Sequence, residues 1–219
     1  MSRPPFFLPS VLGVGLLVAC EDVEEAGKEP GHSHGLVTRL GLRFIAEDTG
    51  EEVFAEWADP ELDGDARIDD IVLHDAGTAA DHAPRRYRLE LEAWNDLEDP
   101  AEDVGAQILD LAEEHWLFFT GGAVEGPSTG ANPDALFSLA TLDTDADGLP
   151  LGMVNEVETL ARGSGELEVV LRHLVPENGE STKVEGLDTL LAEEGLGALP
   201  GANDVQVVFS VTVEAGPSD

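Results

Sequence analysis

The stretch RRYRLELEAW (residues 85–94) decides the fold class. Tyr87, Leu89, Leu91 and Ala93 fall on one side of a strictly alternating pattern, and Arg86, Arg88, Glu90 and Glu92 fall on the other. A period of two is the signature of a half-buried β-strand, because successive side chains of an extended chain point to opposite faces. The same pattern recurs on both sides of it. In LVTRLGLRFIAE (36–47), Leu40, Leu42 and Phe44 share one parity, and Arg39 and Arg43 share the other. GELEVVLRHLV (165–175) places Leu167, Val169, Leu171, His173 and Val175 on one face. VQVVFSVTVEA (205–215) does so with Val205, Val207, Phe209, Val211 and Val213. EEVFAEW (51–57), DDIVLHD (69–75), WLFFT (116–120), ALFSLATL (135–142) and VNEVETLA (154–161) supply further strands.

One helix is expected to interrupt them. Asp99 is a suitable N-cap and Pro100 a suitable first helical residue, with Val104, Ile108, Leu111 and His115 following at helical spacing. LDTLLAEE (187–194) offers a second helical turn or two. Short strands punctuated by Gly, Pro and Asp predict an all-β fold, mainly an antiparallel β-sandwich of immunoglobulin-like form, with one inserted α-helix.

The start of the chain reads differently. Arg3 precedes a run from Phe6 to Ala19, apolar apart from Ser10, that is too short to span a bilayer, the pattern of a secretory signal over residues 1–19. It ends in Leu17-Val18-Ala19-Cys20, which resembles a lipobox, the site at which a cysteine thiol receives a diacylglyceryl group. Cys20 is the only cysteine, so the chain forms no internal disulfide, and lipidation would remove the thiol from any ligand set. Residues 20–35 are polar and rich in Glu and Gly. They are expected to form a flexible acidic tether reaching roughly 50 Å when extended, ahead of a β-sandwich domain over 36–215. With 46 acidic against 11 basic residues and a net charge of −35, the chain disfavours nucleic acid and anionic headgroups and favours cations or basic partners.

Several segments add a resemblance. EEHWLFF (113–119), TDADGLPLG (144–152), GSGELEVVLRH (163–173) and NDVQVVFSVTVE (203–214) are similar, in order, to a family of small Bacteroidetes lipoproteins often labelled type 1 periplasmic binding fold superfamily proteins. The resemblance implies an envelope location, and its label implies a ligand-binding α/β fold. The alternation above argues for the β-sandwich instead. The chain departs from the family pattern between Val175 and Asn203, where it carries extra residues, and at His32 and His34, where relatives usually have Glu or Asn.

Three groups of residues could carry chemistry. His115 continues the helical stripe and His173 has the inward parity of its strand; a buried imidazole is costly unless bonded or coordinated. With Glu114 or Glu113 as a carboxylate ligand or supporting acceptor, the two would ligate Zn²⁺ or a copper ion. The alternative is a pair of core histidines bonded to buried carbonyls or carboxylates such as Glu114. His32 and His34, two apart in an extended tether, form a second candidate grip for a metal. Asp143, Asp145 and Asp147, ahead of Gly148, copy the first half of a calcium loop, and Asp59–Gly64 is a looser copy. The distal glutamate is missing, and such segments also serve as turns. Gly126-Pro127-Ser128-Thr129-Gly130 matches a nucleophile-elbow string, but Ala131-Asn132-Pro133 follows where a helix is required.

The sequence therefore predicts a non-enzymatic lipoprotein, anchored outside the cytoplasm with the outer membrane favoured. It would capture zinc or copper alongside an outer-membrane receptor. The alternative is a structural or partner-binding envelope protein without a transition metal, stabilised by calcium at its Asp-Gly turns.

Overall fold

The computed structural model describes residues 35–175 and 181–216. Residues 1–34, on which the expected signal segment, Cys20 and most of the expected tether fall, lie outside the described residues. In chain order the elements are β1 (Arg39–Ala46), β2 (Glu52–Ala58), β3 (Arg67–Ile68), β4 (Ile71–Asp75), β5 (Arg86–Asn95), β6 (Glu102–Asp103) and α1 (Val104–Asp110). They continue with β7 (His115–Thr120), β8 (Val124–Glu125), β9 (Phe137–Thr141), β10 (Val154–Thr159), β11 (Gly163–His173), α2 (Leu187–Glu194) and β12 (Ala202–Ala215). The fold is all-β with a little helix.

Two sheets form. The larger runs β3-β2-β1-β5-β10-β9-β8, with β6 added beside β5, and the smaller runs β4-β12-β11-β7. The pairings are antiparallel except β4 with β12 and β8 with β9, which are parallel. Alternation places the core: Leu40, Leu42, Phe44, Tyr87, Leu89 and Leu91 of the larger sheet meet Leu167, Val169, Leu171, Val207, Phe209 and Val211 of the smaller. Each such side chain contributes about 1.5–3 kcal/mol when fully removed from water. Tyr87 also ties the sheets together. Its hydroxyl donates to the His74 carbonyl at 2.6 Å and accepts the His74 N–H at 3.0 Å.

Two features depart from simple alternation. The smaller sheet is covered on both faces. Trp116, Phe118, Val170 and Leu174 point away from the main core and pack under Leu187, Leu191 and Leu199, so the stretch from Ser181 to Gly201 forms a lid containing α2. A strand buried on both faces reads as a continuous apolar run, as WLFF does. The helix also starts later than expected. Asp99 and Pro100 precede it, and β6 pairs with β5 before α1 begins, so Asp103 is the N-cap, accepting from the Ala106 N–H at 3.0 Å. The helix ends at Asp110, and a 3₁₀ turn at Ala112–Glu114 leads into β7. His115 is therefore the first residue of a strand, not the last step of a helical stripe.

Candidate metal centre

The register of the smaller sheet brings the two histidines together. His115 opens β7, His173 closes β11, and the two are direct cross-strand partners. Both have the parity of core residues, Leu117 on one strand and Leu171 on the other. Their rings stack with centroids 4.7 Å apart and planes 12° from parallel. His115 is fully buried, and its Nδ1 donates to the Leu111 carbonyl at 2.9 Å in the tautomer that leaves Nε2 as the lone-pair nitrogen. Such a bond fixes ring orientation in many metal-binding histidines.

A third donor arrives from β12. Strict alternation gives Asp204 the outward parity of Gln206 and Val208. Between Leu171 and Arg172 the β11–β12 register shifts, so that Val205 faces Leu171 while Asn203 faces Arg172 and Asp204 is the extra residue. A bulge of this kind re-aims a side chain. Asn203 turns outward and accepts from the Arg172 guanidinium, whereas Asp204 turns toward His173, with Oδ1 4.0 Å from Nδ1. One ligand atom from each of His115, His173 and Asp204 lies within 4.8 Å of the other two. Tetrahedral zinc holds its donors about 3.3 Å apart, given bonds near 2.0–2.1 Å. Modest rotations of the rings and the carboxylate would close that difference. Glu114 Oε2 stands 3.6 Å from His173 Nε2, outside the three-donor group, where it can orient the ring.

The surroundings hold this end of the sheet in place. Arg172 donates to the carbonyls of Pro200 at 2.7 Å and Leu199 at 2.6 Å, fastening the end of the lid to the strand that carries His173. Burial pulls its guanidinium below the ordinary arginine value, against the opposing field of Asp204. Gly201 has φ +79°, and a Cβ there would sit 2.0 Å from the His173 carbonyl oxygen, so the chain passes the site at a distance only glycine permits. The Glu114 carbonyl accepts the Leu174 N–H at 2.6 Å.

In the Asp-rich loop read as a calcium-loop copy, Asp143 and Asp145 are bonded within the protein itself. Asp143 accepts from the N–H groups of Gly152 and Met153, and Asp145 accepts from those of Asp147 and Leu149. The remaining oxygen of Asp145 faces Lys183 Nζ at 2.9 Å, and both side chains are 1 % exposed. Lys183, from the lid, supplies the cation. It also donates to the Ala112 carbonyl at 2.8 Å and lies over the Trp116 ring. Burial would raise the Asp145 pKa, but the lysine and the backbone N–H donors hold it below the usual carboxylate range. Asp59 likewise caps its own turn at Asp63 and Gly64.

No known family model, curated protein or solved structure matches the chain. Functional assignment therefore rests on the site's own geometry.

Of the residues singled out from sequence, His115 and His173 meet and Glu114 stands beside them. His32 and His34 lie outside the described residues. Asp204 was not anticipated, because nothing in the alternation of β12 announces the bulge that turns it. Among the remaining histidines, His74 is half-buried on β4 near Glu51 and Glu214, and His82 is exposed. Gly126 and Gly130 close a bridged loop around Ser128, and the next element is β9, so the elbow string lacks its helix.

Proposed function

We propose that this chain is a lipid-anchored, extracytoplasmic binding protein that captures a zinc or copper ion through His115, His173 and Asp204. One observation carries the reading: two strands and a bulge deliver three donors of the right chemistry to one place at the buried end of a sheet. Two imidazoles and one carboxylate suit Zn²⁺ and Cu²⁺ better than Ca²⁺ or Mg²⁺, which take oxygen ligands. The acidic surface favours approach of a cation. The anchor reading rests on Leu17-Val18-Ala19-Cys20, and a natural role is handing the ion to an outer-membrane receptor. The reading is one of binding rather than catalysis.

The test is competition for Zn²⁺ against a chromophoric chelator, with the purified full chain and its His173→Ala and Asp204→Asn variants. One ion per chain is expected, with affinity lowered at least tenfold in each variant. Wild-type protein that takes no Zn²⁺ or Cu²⁺ from the chelator would leave the two histidines as a structural pair and end the proposal.

A further inference from the structure

Each sheet has an edge on the same side of the sandwich: β7 ends the smaller sheet, and β9 and β8 end the larger. A cleft of about 180 Å³ lies between them, walled by Phe119 of β7, Val124 of β8, Leu139 of β9 and the rings of Pro127 and Pro150. An apolar cavity of about 150 Å³ holds a benzene ring, so this one takes a single aromatic ring or branched alkyl group. Of the hydroxyls in the lining, that of Thr141 donates to the Asn155 side chain at 3.0 Å. Ser128 is 9 % exposed, and its hydroxyl makes no hydrogen bond with a described residue. Its loop braces itself without that hydroxyl. The Gly126 N–H donates to Thr129 Oγ1 at 2.9 Å, and the Gly126 carbonyl accepts the Gly130 N–H at 2.8 Å. Ser128 is thus held against the cleft with its hydroxyl left to a molecule inside, in the pattern of an apolar pocket with a few placed polar groups.

The mouth of the cleft is acidic. Trp116, Pro150 and Asp188 also border a wider, solvent-open recess of about 580 Å³, to which Asp147 and Glu185 belong. No described basic side chain pairs with any of these three carboxylates, and the lid's one base, Lys183, is committed to Asp145. The start of α2 brings about half a positive charge to the same place, which three carboxylates outweigh. We propose that this cleft binds an organic ammonium ion. Its ring or branched alkyl group lies between Phe119, Val124 and Leu139, and its protonated nitrogen sits at the mouth, recognised by the Asp188 carboxylate and the Ser128 hydroxyl. The site shares no residue with the His115–His173–Asp204 centre and does not rest on the metal reading. A free aralkylamine has this chemistry, and so does the amino-terminal residue of a peptide with an apolar side chain.

The experiment titrates the full chain with phenethylammonium, with the anion hydrocinnamate, and with the amidated tripeptide Phe-Gly-Gly bearing a free or an acetylated amino terminus. Calorimetry reads affinity, and nuclear Overhauser contacts from the ligand ring to the Trp116 indole read its place. Phenethylammonium should bind at least about tenfold more tightly than hydrocinnamate. Asp188→Asn should weaken it about two- to fivefold, and Ser128→Leu, whose side chain fills the cleft, should abolish it while the melting temperature holds. If Ser128→Leu fails to fold, Asp188→Asn decides alone. Tighter binding of the free tripeptide, lost on acetylation, identifies a peptide terminus as the occupant; weaker binding than phenethylammonium identifies a free amine. Equal affinity for the cation and the anion, no binding of either at millimolar concentration, or affinity for the cation unchanged by Asp188→Asn would overturn the proposal.

Discussion

Replacing Lys183 by methionine isolates what holds the lid to the site. The substitution keeps most of the apolar stem over Trp116 but removes the charge facing Asp145 at 2.9 Å and the donor to the Ala112 carbonyl. Both partners are 1 % exposed, so water cannot replace the lost ammonium without opening the structure. Removing one member of a buried ion pair costs about 3–5 kcal/mol, mainly because the other charge is stranded. For a domain of this size that corresponds to a fall of roughly 10 °C in Tm. Adding Asp145→Asn should recover about half of the loss. The amide oxygen can still accept from Asp147 and Leu149, and no charge is stranded. Urea unfolding followed by circular dichroism measures both variants, with the slope held constant as the sign of an unchanged mechanism. A loss below about 1 kcal/mol for Lys183→Met would refute the argument. So would a double variant no more stable than the single one.

Acid should unfold the protein through the same kind of contact. The Asp145 carboxyl is held below its ordinary value, and so is that of Asp75, where burial is outweighed by the forked Arg162 guanidinium and the Gly77 N–H. Asp96 is lowered by its hydrogen bonds from Arg39. A depressed carboxyl contributes stability that is complete above the unfolded value near 4 and is lost as pH falls through the folded one. Chemical denaturation midpoints should therefore hold level from neutral pH to about 5 and drop steeply below about 4; an unchanged midpoint at pH 3 would contradict the assignment. Gly201→Ala should both destabilise the fold, by about 1–3 kcal/mol, and weaken Zn²⁺ binding, because the added methyl displaces the His173 carbonyl. Thermal melts and chelator competition on that one variant check the two effects together.

Most of the fold could be read from residue patterning, and the reasons are particular. The alternation of 85–94, 165–173 and 205–213 names the buried faces because one side of each strand meets the core. Patterning fails where a second layer covers the outer face. Val170 and Phe118 have solvent parity by count, and they are buried because Leu187, Leu191 and Leu199 of the lid pack on them. The helix start is misplaced because local cap chemistry at Asp99 and Pro100 yields to pairing between β6 and β5, a contact between distant residues. The site divides in the same way. His173 is legible from its strand, and His115 was found for the wrong reason, as a helical residue. Asp204 was missed because a bulge reverses its parity, and the pairing of Asp145 with Lys183 was not legible because the lysine comes from elsewhere in the chain.

The double covering of β11 bears on how fast an ion could leave. Val169 and Leu171 are sealed by one layer and Val170 by the other, which makes the middle of this strand the part of the sheet that water reaches last. Its amides should exchange only when the whole domain opens. His173 is the terminal residue of that strand, and opening there requires breaking only the contacts that fasten the strand's end, the Arg172 bonds to the lid carbonyls and the Leu174 N–H to the Glu114 carbonyl, not the whole core. Release of a bound ion would be timed by local opening at the strand's end, leaving the sandwich intact to be loaded again.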